Sequence, residues 1–324
     1  MYAAYITRLG PPDVIHYGEL TDPYPGPTDV LVNVTASTVN PVDTYVRSGV
    51  YRTPVSFPFV IGRDLVGTVV SAGSGAVGFS VHDQVWCNSL GHCGRQGAAA
   101  QQAVVPADRL HHLPDGVSPT DALTVAHPAA TAYLALFTHG RIQPGETVFV
   151  AGAAGNVGGA LVVLASDAGA RVIASARKED EEYCRSLGAR EVFDYRDSSL
   201  RERIRQACPN GIDCYIDSYG KNDLTAAVDL LAYRGRIVLL AGVHTKPALP
   251  VGQLYMKDGS VRGFVISHAT VTELADAAHT INRLLVDDRL RPRATESMPL
   301  SDAAEAHRRM ESGELHGKRL ILKV

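Results

Sequence analysis

Gly152, Gly155 and Gly158 stand three residues apart, directly after the strand-forming run Val148-Phe149-Val150. Glycines there let backbone N–H groups approach a pyrophosphate whose charge sits at a helix N-terminus. Gly152, Gly155, Asn156, Val157 and Gly158 are therefore candidate phosphate ligands. The spacing is Gly-x-x-Gly-x-x-Gly, a variant of Gly-x-Gly-x-x-Gly, and glycines alone also fit an ordinary strand–helix turn. The context after them decides. Ala160 to Ala165 continues an apolar helix that Gly169 closes, and Arg171 to Ala176 forms a second strand. An acidic residue ending such a strand takes the ribose 2′-hydroxyl of NAD. Here the strand ends Ser175-Ala176-Arg177-Lys178. A hydroxyl, a planar guanidinium and a point charge suit a 2′-phosphate, so NADPH is expected over NADH. The competing reading is two solvated cations, and Asp180, Glu181 and Glu182 close by weigh toward it.

These residues need a βαβ frame, and the chain supplies one. From Thr147 strands alternate with helices: Asp213 to Asp217 is a strand, Leu224 to Tyr233 a helix and Gly235 to Gly242 another buried strand. That alternation marks a doubly wound α/β domain. Residues 1–118 are instead rich in short strands with Gly and Pro punctuation, as in Val30–Ala36 and Leu65–Ala72. They point to a partly closed antiparallel barrel. Helical character begins at Pro119 behind the N-cap candidate Ser118 and runs to Leu136. Val271 to Val286 carries Leu274, Ala278, Ile281 and Leu285 at helical spacing, and Lys318 to Val324 is a last strand expected to return to the first domain. The expected domains are 1–118 with 259–324, and 119–258 as an insertion.

At 324 residues two domains are the default. A net charge of −3 argues against a nucleic-acid footprint. Five scattered cysteines without a Cys-x-x-Cys pair point to reduced thiols and a cytoplasmic protein. No signal peptide or membrane span is expected, because the N-terminus reads as a strand and the apolar runs are short.

The pieces together resemble the medium-chain dehydrogenase/reductase superfamily, and within it the quinone oxidoreductases of the zeta-crystallin branch. The resemblance covers nearly the whole chain. It rests on Asn40-Pro41-Val42-Asp43-Thr44-Tyr45-Val46-Arg47-Ser48-Gly49, on Gly62-Arg63-Asp64-Leu65-Val66-Gly67, on Thr131-Ala132-Tyr133-Leu134-Ala135-Leu136, on Ala189 to Arg196, on Asp217-Ser218-Tyr219-Gly220 and on Gly317-Lys318. It implies an α/β protein: a GroES-like partly closed β-barrel catalytic domain plus a doubly wound Rossmann domain. It further implies that Asn40, Asp43, Tyr45, Arg47 and Tyr51 line the substrate side. Asn40 then orients the acceptor or touches the nicotinamide ribose, unless it is only a turn residue before Pro41. Asp43 and Arg47, four apart, are expected to pair on one helical turn. Thr131 is implied at the nicotinamide end, and Tyr195 beside Ser175, Arg177 and Lys178 at the adenosine phosphate. Ala241 and Gly242 lie at the crevice, Phe264, Val265 and Ile266 flank the nicotinamide amide, and Lys318 approaches the cofactor phosphates.

Zinc-dependent alcohol dehydrogenases share this fold and hold their metal with Cys, a His from a Gly-His-Glu run, and Cys. This chain has Asn40, Gly62-Arg63-Asp64 and His127 near those places, which does not supply three good ligands. Cys87, His92 and Cys93 lack a fourth partner, and His111-His112 reads as a loop pair. No zinc is expected. Without a Lewis acid the chemistry suits an acceptor that is already electrophilic, a quinone or a conjugated enone. The resulting expectation is an NADPH-dependent, zinc-independent quinone or enone reductase, and a homodimer that pairs through Arg236 to Leu240. Two other readings stay open: a zinc-type alcohol dehydrogenase with unusual ligands, and a non-catalytic NADPH-binding sensor or nucleic-acid binder.

Overall fold

A computed structural model describes residues 1–324, and the chain separates into two compact units, Met1–His127 with Thr270–Val324, and Pro128–Ala269. The division falls at 127/128 and 269/270, where the sequence pattern places its changes at 118/119 and 258/259.

The first unit is built on strands. β1 (Tyr2–Ile6) lies between β2 (Ile15–Glu19) and β4 (Phe59–Val60) in a small sheet. The larger sheet is organised around β3 (Asp29–Thr38), whose neighbours are β5 (Leu65–Ala72), β7 (Gln102–Pro106) and the closing strand β16 (Lys318–Lys323). β6 (Gln84–Cys87) and β8 (His111–His112) extend it beyond β5, and β15 (Ala294–Pro299) runs parallel to β16 at the other end. The register Ile321↔Thr38 returns the C-terminal strand to this unit. Val30, Val32 and Val34 alternate inward along β3 and join Leu65, Val69, Val85 and Val105 in one core. Gly67 on β5 is required there: a Cβ would stand 2.1 Å from the Asn33 carbonyl oxygen. Three helices lie wholly in this unit, α1 (Pro41–Ser48), α8 (Val271–Val286) and α9 (Ala303–Ser312), and the helix that begins at Pro119 starts in it. α8 covers the predicted residues and carries a Thr270–Glu273 capping box.

The second unit is a six-stranded sheet with every pair parallel: β9 (Thr147–Ala151), β10 (Arg171–Ala176), β11 (Glu191–Asp194), β12 (Ile212–Asp217), β13 (Leu231–Leu239) and β14 (Ser260–Gly263). The order β11-β10-β9-β12-β13-β14 reverses between β9 and β12, the doubly wound arrangement. Its helices are the latter part of α2 (Pro119–Tyr133), α3 (Asn156–Asp167), α4 (Glu181–Ser186), α5 (Leu200–Ala207), α6 (Leu224–Leu230) and α7 (Val251–Tyr255).

Three local expectations are corrected. α2 does not run on regularly to Leu136: after Tyr133 it widens, and Gly140 N–H reaches back five residues to the Ala135 oxygen. The helix expected over 224–233 stops at Leu230, because Leu231 already pairs with Ile212 on β12. Strand Arg236–Leu240 cannot pair with a second copy, because β13 has β12 on one side and β14 on the other. The edge strands of the sheet are β11 and β14, and the helical and strand periodicities left the four residues of β14 unread.

Candidate active site

In the first unit a buried polar network grows from two short segments. The first is the start of α1. Asn40 is the N-cap, and Asp43 at the third helical position accepts from the Asn40 backbone N–H at 2.7 Å, the reciprocal half of a capping box. The second is the entry to β5. Gly62 has φ +88°, a backbone that favours glycine, and it turns Arg63 and Asp64 inward. The Asp64 carboxylate then collects Asn40 Nδ2 at 2.8 Å, His127 Nδ1 at 3.2 Å and the Arg319 guanidinium at 3.7 Å. Arg319 Nη2 also donates to Asn40 Oδ1 at 2.9 Å. The Asn40 amide is thus fixed in orientation at both ends, and all of Asn40, Asp43, Arg63, Asp64, His127 and Arg319 are buried. Burial pushes the Asp43 carboxyl up to about 6, against the opposing pull of Arg63.

Asp43 and Arg47 do not pair. Asp43 turns in to the cap and to Arg63, while Arg47, one turn on, reaches Glu311 on α9 beside the buried His307. A helical i, i+4 spacing permits a pair only where neither side chain has a buried partner elsewhere. Tyr45 and Tyr51 are half-buried, and the backbone N–H of Tyr51 donates to the Tyr45 carbonyl at 3.0 Å. Lys318 is the exposed first residue of β16.

A catalytic zinc does not fit this network. The network packs two guanidiniums, Arg63 and Arg319, around an Asp64 already hydrogen-bonded by Asn40 and His127. No three His, Cys, Asp or Glu side chains converge as a metal would require.

In the second unit the glycine turn follows β9 at the sheet's reversal point. Gly152 has φ +80°, and its N–H donates to the Ser175 carbonyl at 3.1 Å, joining the turn to the end of β10. Gly158 packs helix on turn: a Cβ there would stand 2.1 Å from the Gly152 oxygen. Gly155 is the N-cap of α3 and, lacking a side chain, leaves the helix's first turn without a side-chain cap. A Cβ on Gly155 would meet only the Gly152 oxygen, at 3.4 Å. The three glycines therefore form a cradle with a helix N-terminus, Asn156 and Val157 at its head, which fits a pyrophosphate.

Arg177 leaves the end of β10 fully exposed, with Nε donating to Tyr195 Oη at 3.2 Å. Three of the nearby acids have cations of their own. Arg196 binds Glu179 and Asp194, and Arg185 binds Glu181. Ser175 is buried and Lys178 exposed. Tyr219, which sequence reasoning passed over as a signpost, stacks on Tyr195 at 6.2 Å between ring centroids. Its place after β12, at the end of the strand beside β9, was the available signal. Asn222 closes the same end, donating to the Ala241 carbonyl at 3.1 Å, and Gly242 turns there with φ +86°. Phe264 stacks on His139 at 4.4 Å just after β14, while the Val265 and Ile266 carbonyls accept from His268 and Ala269. Thr131 is buried within α2.

The model for an alcohol dehydrogenase GroES-like domain matches residues 26–115, and that for a zinc-binding dehydrogenase matches 156–281. Mouse quinone oxidoreductase is 28% identical over 99% of this chain and 97% of its own. A quinone oxidoreductase-like protein 2 homolog from Nematostella vectensis is 30% identical over 81% of this chain and 71% of its own. The chain belongs to the quinone oxidoreductase family of medium-chain dehydrogenase/reductases. It is an oxidoreductase. Among solved structures, one described as an NAD-dependent alcohol dehydrogenase aligns with TM-score 0.89 at 28% identity, covering all of both chains. A mycobacterial protein in complex with NADPH aligns with TM-score 0.86 at 29% identity, again over all of both.

Proposed function

We propose that this oxidoreductase is an NADPH-dependent, zinc-independent reductase of quinones or related conjugated enones. The observation that carries the reading is the donor chemistry around Asp64. An alcohol dehydrogenase needs three metal ligands there, whereas in this chain the ligand-type side chains, His127, Asp64 and Asp43, are engaged by one another, by Asn40 and by the guanidiniums of Arg63 and Arg319. Without a Lewis acid the acceptor has to be electrophilic before it binds. Gly152, Gly155, Asn156, Val157 and Gly158 would hold the pyrophosphate. Ser175, Arg177, Lys178 and Tyr195 would hold the 2′-phosphate, with Thr131, Ala241, Gly242, Phe264, Val265 and Ile266 toward the nicotinamide. Bound there, the reduced nicotinamide supplies a hydride to an electron-poor carbon.

The chain's own residues position the acceptor. Tyr45 and Tyr51 offer aromatic faces to a planar molecule. Asn40, locked by Asp64 and Arg319, keeps one amide orientation without reorganising during reaction. Fixed geometry is the main source of rate when no metal polarises the substrate. The protein acts as a homodimer whose copies meet at the outer side of the edge strand β14, which has backbone donors and acceptors to offer.

The test of the cofactor assignment is a fluorescence titration with NADPH and NADH side by side. NADPH is expected to bind at least about tenfold tighter, the discrimination of a charge-assisted phosphate contact. Equal binding, or tighter NADH, removes the assignment.

A further inference from the structure

Arg63 is 1% exposed, and its guanidinium makes no hydrogen bond to an acceptor. Nε and Nη2 have no partner, and the Asp43 carboxylate lies 3.7 Å from Nε, an ion pair beyond hydrogen-bond reach. Nη1 approaches His92 Nδ1 at 3.3 Å. That nitrogen, however, lies 3.0 Å from the Leu90 carbonyl, which can only accept, so Nδ1 carries the proton. His92 Nε2 then holds the ring's lone pair, and it receives Arg95 Nη2 at 3.0 Å. Burial and the adjacent Arg63 hold His92 neutral, its pKa pushed down to about 3. Arg95 has an unpartnered Nε of its own.

Two guanidiniums thus flank one neutral imidazole, and both carry buried N–H groups with nothing to bind. The two carboxylates nearby do not hydrogen-bond them, although Asp43 Oδ1 is an ion-pair partner of Arg63 at 3.7 Å. Asp64 is taken by Asn40, His127 and Arg319, and Asp43 accepts from Asn40. Leaving buried cationic donors unsatisfied is strongly unfavourable unless a ligand or water completes them. Arg95 is half-buried and gives the cluster its route to solvent.

We propose that Arg63 and Arg95, on either side of His92, form an anion-accepting site that receives a carboxylate of the acceptor. The enzyme then prefers conjugated acceptors that bear a carboxylate over neutral ones of the same shape. The word acceptor rests on the reductase reading above; the anion site does not. Guanidinium forks match a carboxylate's two oxygens, which a bridging water would not.

The test is calorimetric binding of trans-cinnamate and trans-cinnamamide, an anion and its neutral near-isostere, to the full-length protein. The wild type is expected to bind cinnamate at least about tenfold tighter, the scale of a charge-assisted contact. Arg63→Met should abolish the preference. If that variant does not fold, Arg95→Met, which alters the more exposed partner, should reduce it severalfold. Equal affinities in the wild type, no cinnamate binding, or a preference that survives the substitution would each overturn the proposal and leave water as the occupant. NADPH titration of the same samples separates the two ideas. Tight NADPH binding without a cinnamate preference removes only the anion site. A cinnamate preference without dinucleotide binding removes the reductase reading and keeps the site.

Discussion

Burial makes Asp43 a carboxyl that titrates at about 6 in the folded protein, against 3.8 unfolded. A carboxyl whose pKa rises on folding binds its proton more tightly in the native state. The stability it contributes is therefore fully present below 3.8 and is lost as pH rises through about 6. Asp43→Asn keeps an acceptor for the Asn40 cap and removes the titration. In urea unfolding across that window, the variant is expected to show a flatter loss of stability with rising pH than the wild type. Superimposable profiles would contradict the assignment. At the other site, Arg177→Ala should weaken NADPH binding about tenfold and leave NADH unchanged, since only the 2′-phosphate distinguishes them. Loss of both in equal measure would make Arg177 structural. The place of Arg177 was legible in the sequence because it is a local feature, the residue after a strand. The Asp64 network was not. Asp64 and Arg319 meet only because β16 comes back to β3, and no local period records a contact across so much chain.

The glycine turn separates packing from binding within one element. Gly158→Ala would place a Cβ 2.1 Å from the Gly152 oxygen and 2.8 Å from Ala153 Cα, both backbone. Overpacking of this kind costs about 1–3 kcal/mol, so a melting temperature lower by several degrees is expected. Gly155→Ala meets only the Gly152 oxygen at 3.4 Å and sits at φ −76°, which alanine adopts freely. Its thermal stability should stay near wild type while dinucleotide affinity falls about tenfold, because the new methyl enters the cradle at a helix N-terminus. Equal losses of stability in the two variants would contradict this division. Elements with strong periodicity, such as β9, β10 and α8, were readable from residue pattern alone. The end of α6 was not, because Leu231 suits a helix or a strand equally and its pairing with Ile212 decides. β14 has only four residues, two of them exposed, too little alternation to mark an edge strand.

At the scale of the whole chain, the barrel-like unit, the doubly wound unit and the return of the last strand follow from where short strands give way to alternation. The edge proposed for a dimer does not, because it depends on which strand is outermost. Val251, Tyr255 and Met256 are exposed and directly precede that edge. Light scattering after size exclusion should report a dimer, and Val251→Glu with Met256→Glu should shift it toward monomer. A wild-type monomer would contradict the β14 interface. No helix is long and apolar enough to cross a membrane. The central claim, reduction of an electrophilic acceptor by NADPH without a metal, is tested most directly by turnover after metal removal. Purified protein is treated with EDTA, its zinc content is measured, and NADPH consumption is followed with a small panel of quinones and enones. Undiminished turnover at negligible zinc is the expected result. Turnover that disappears on chelation and returns with zinc would contradict the account.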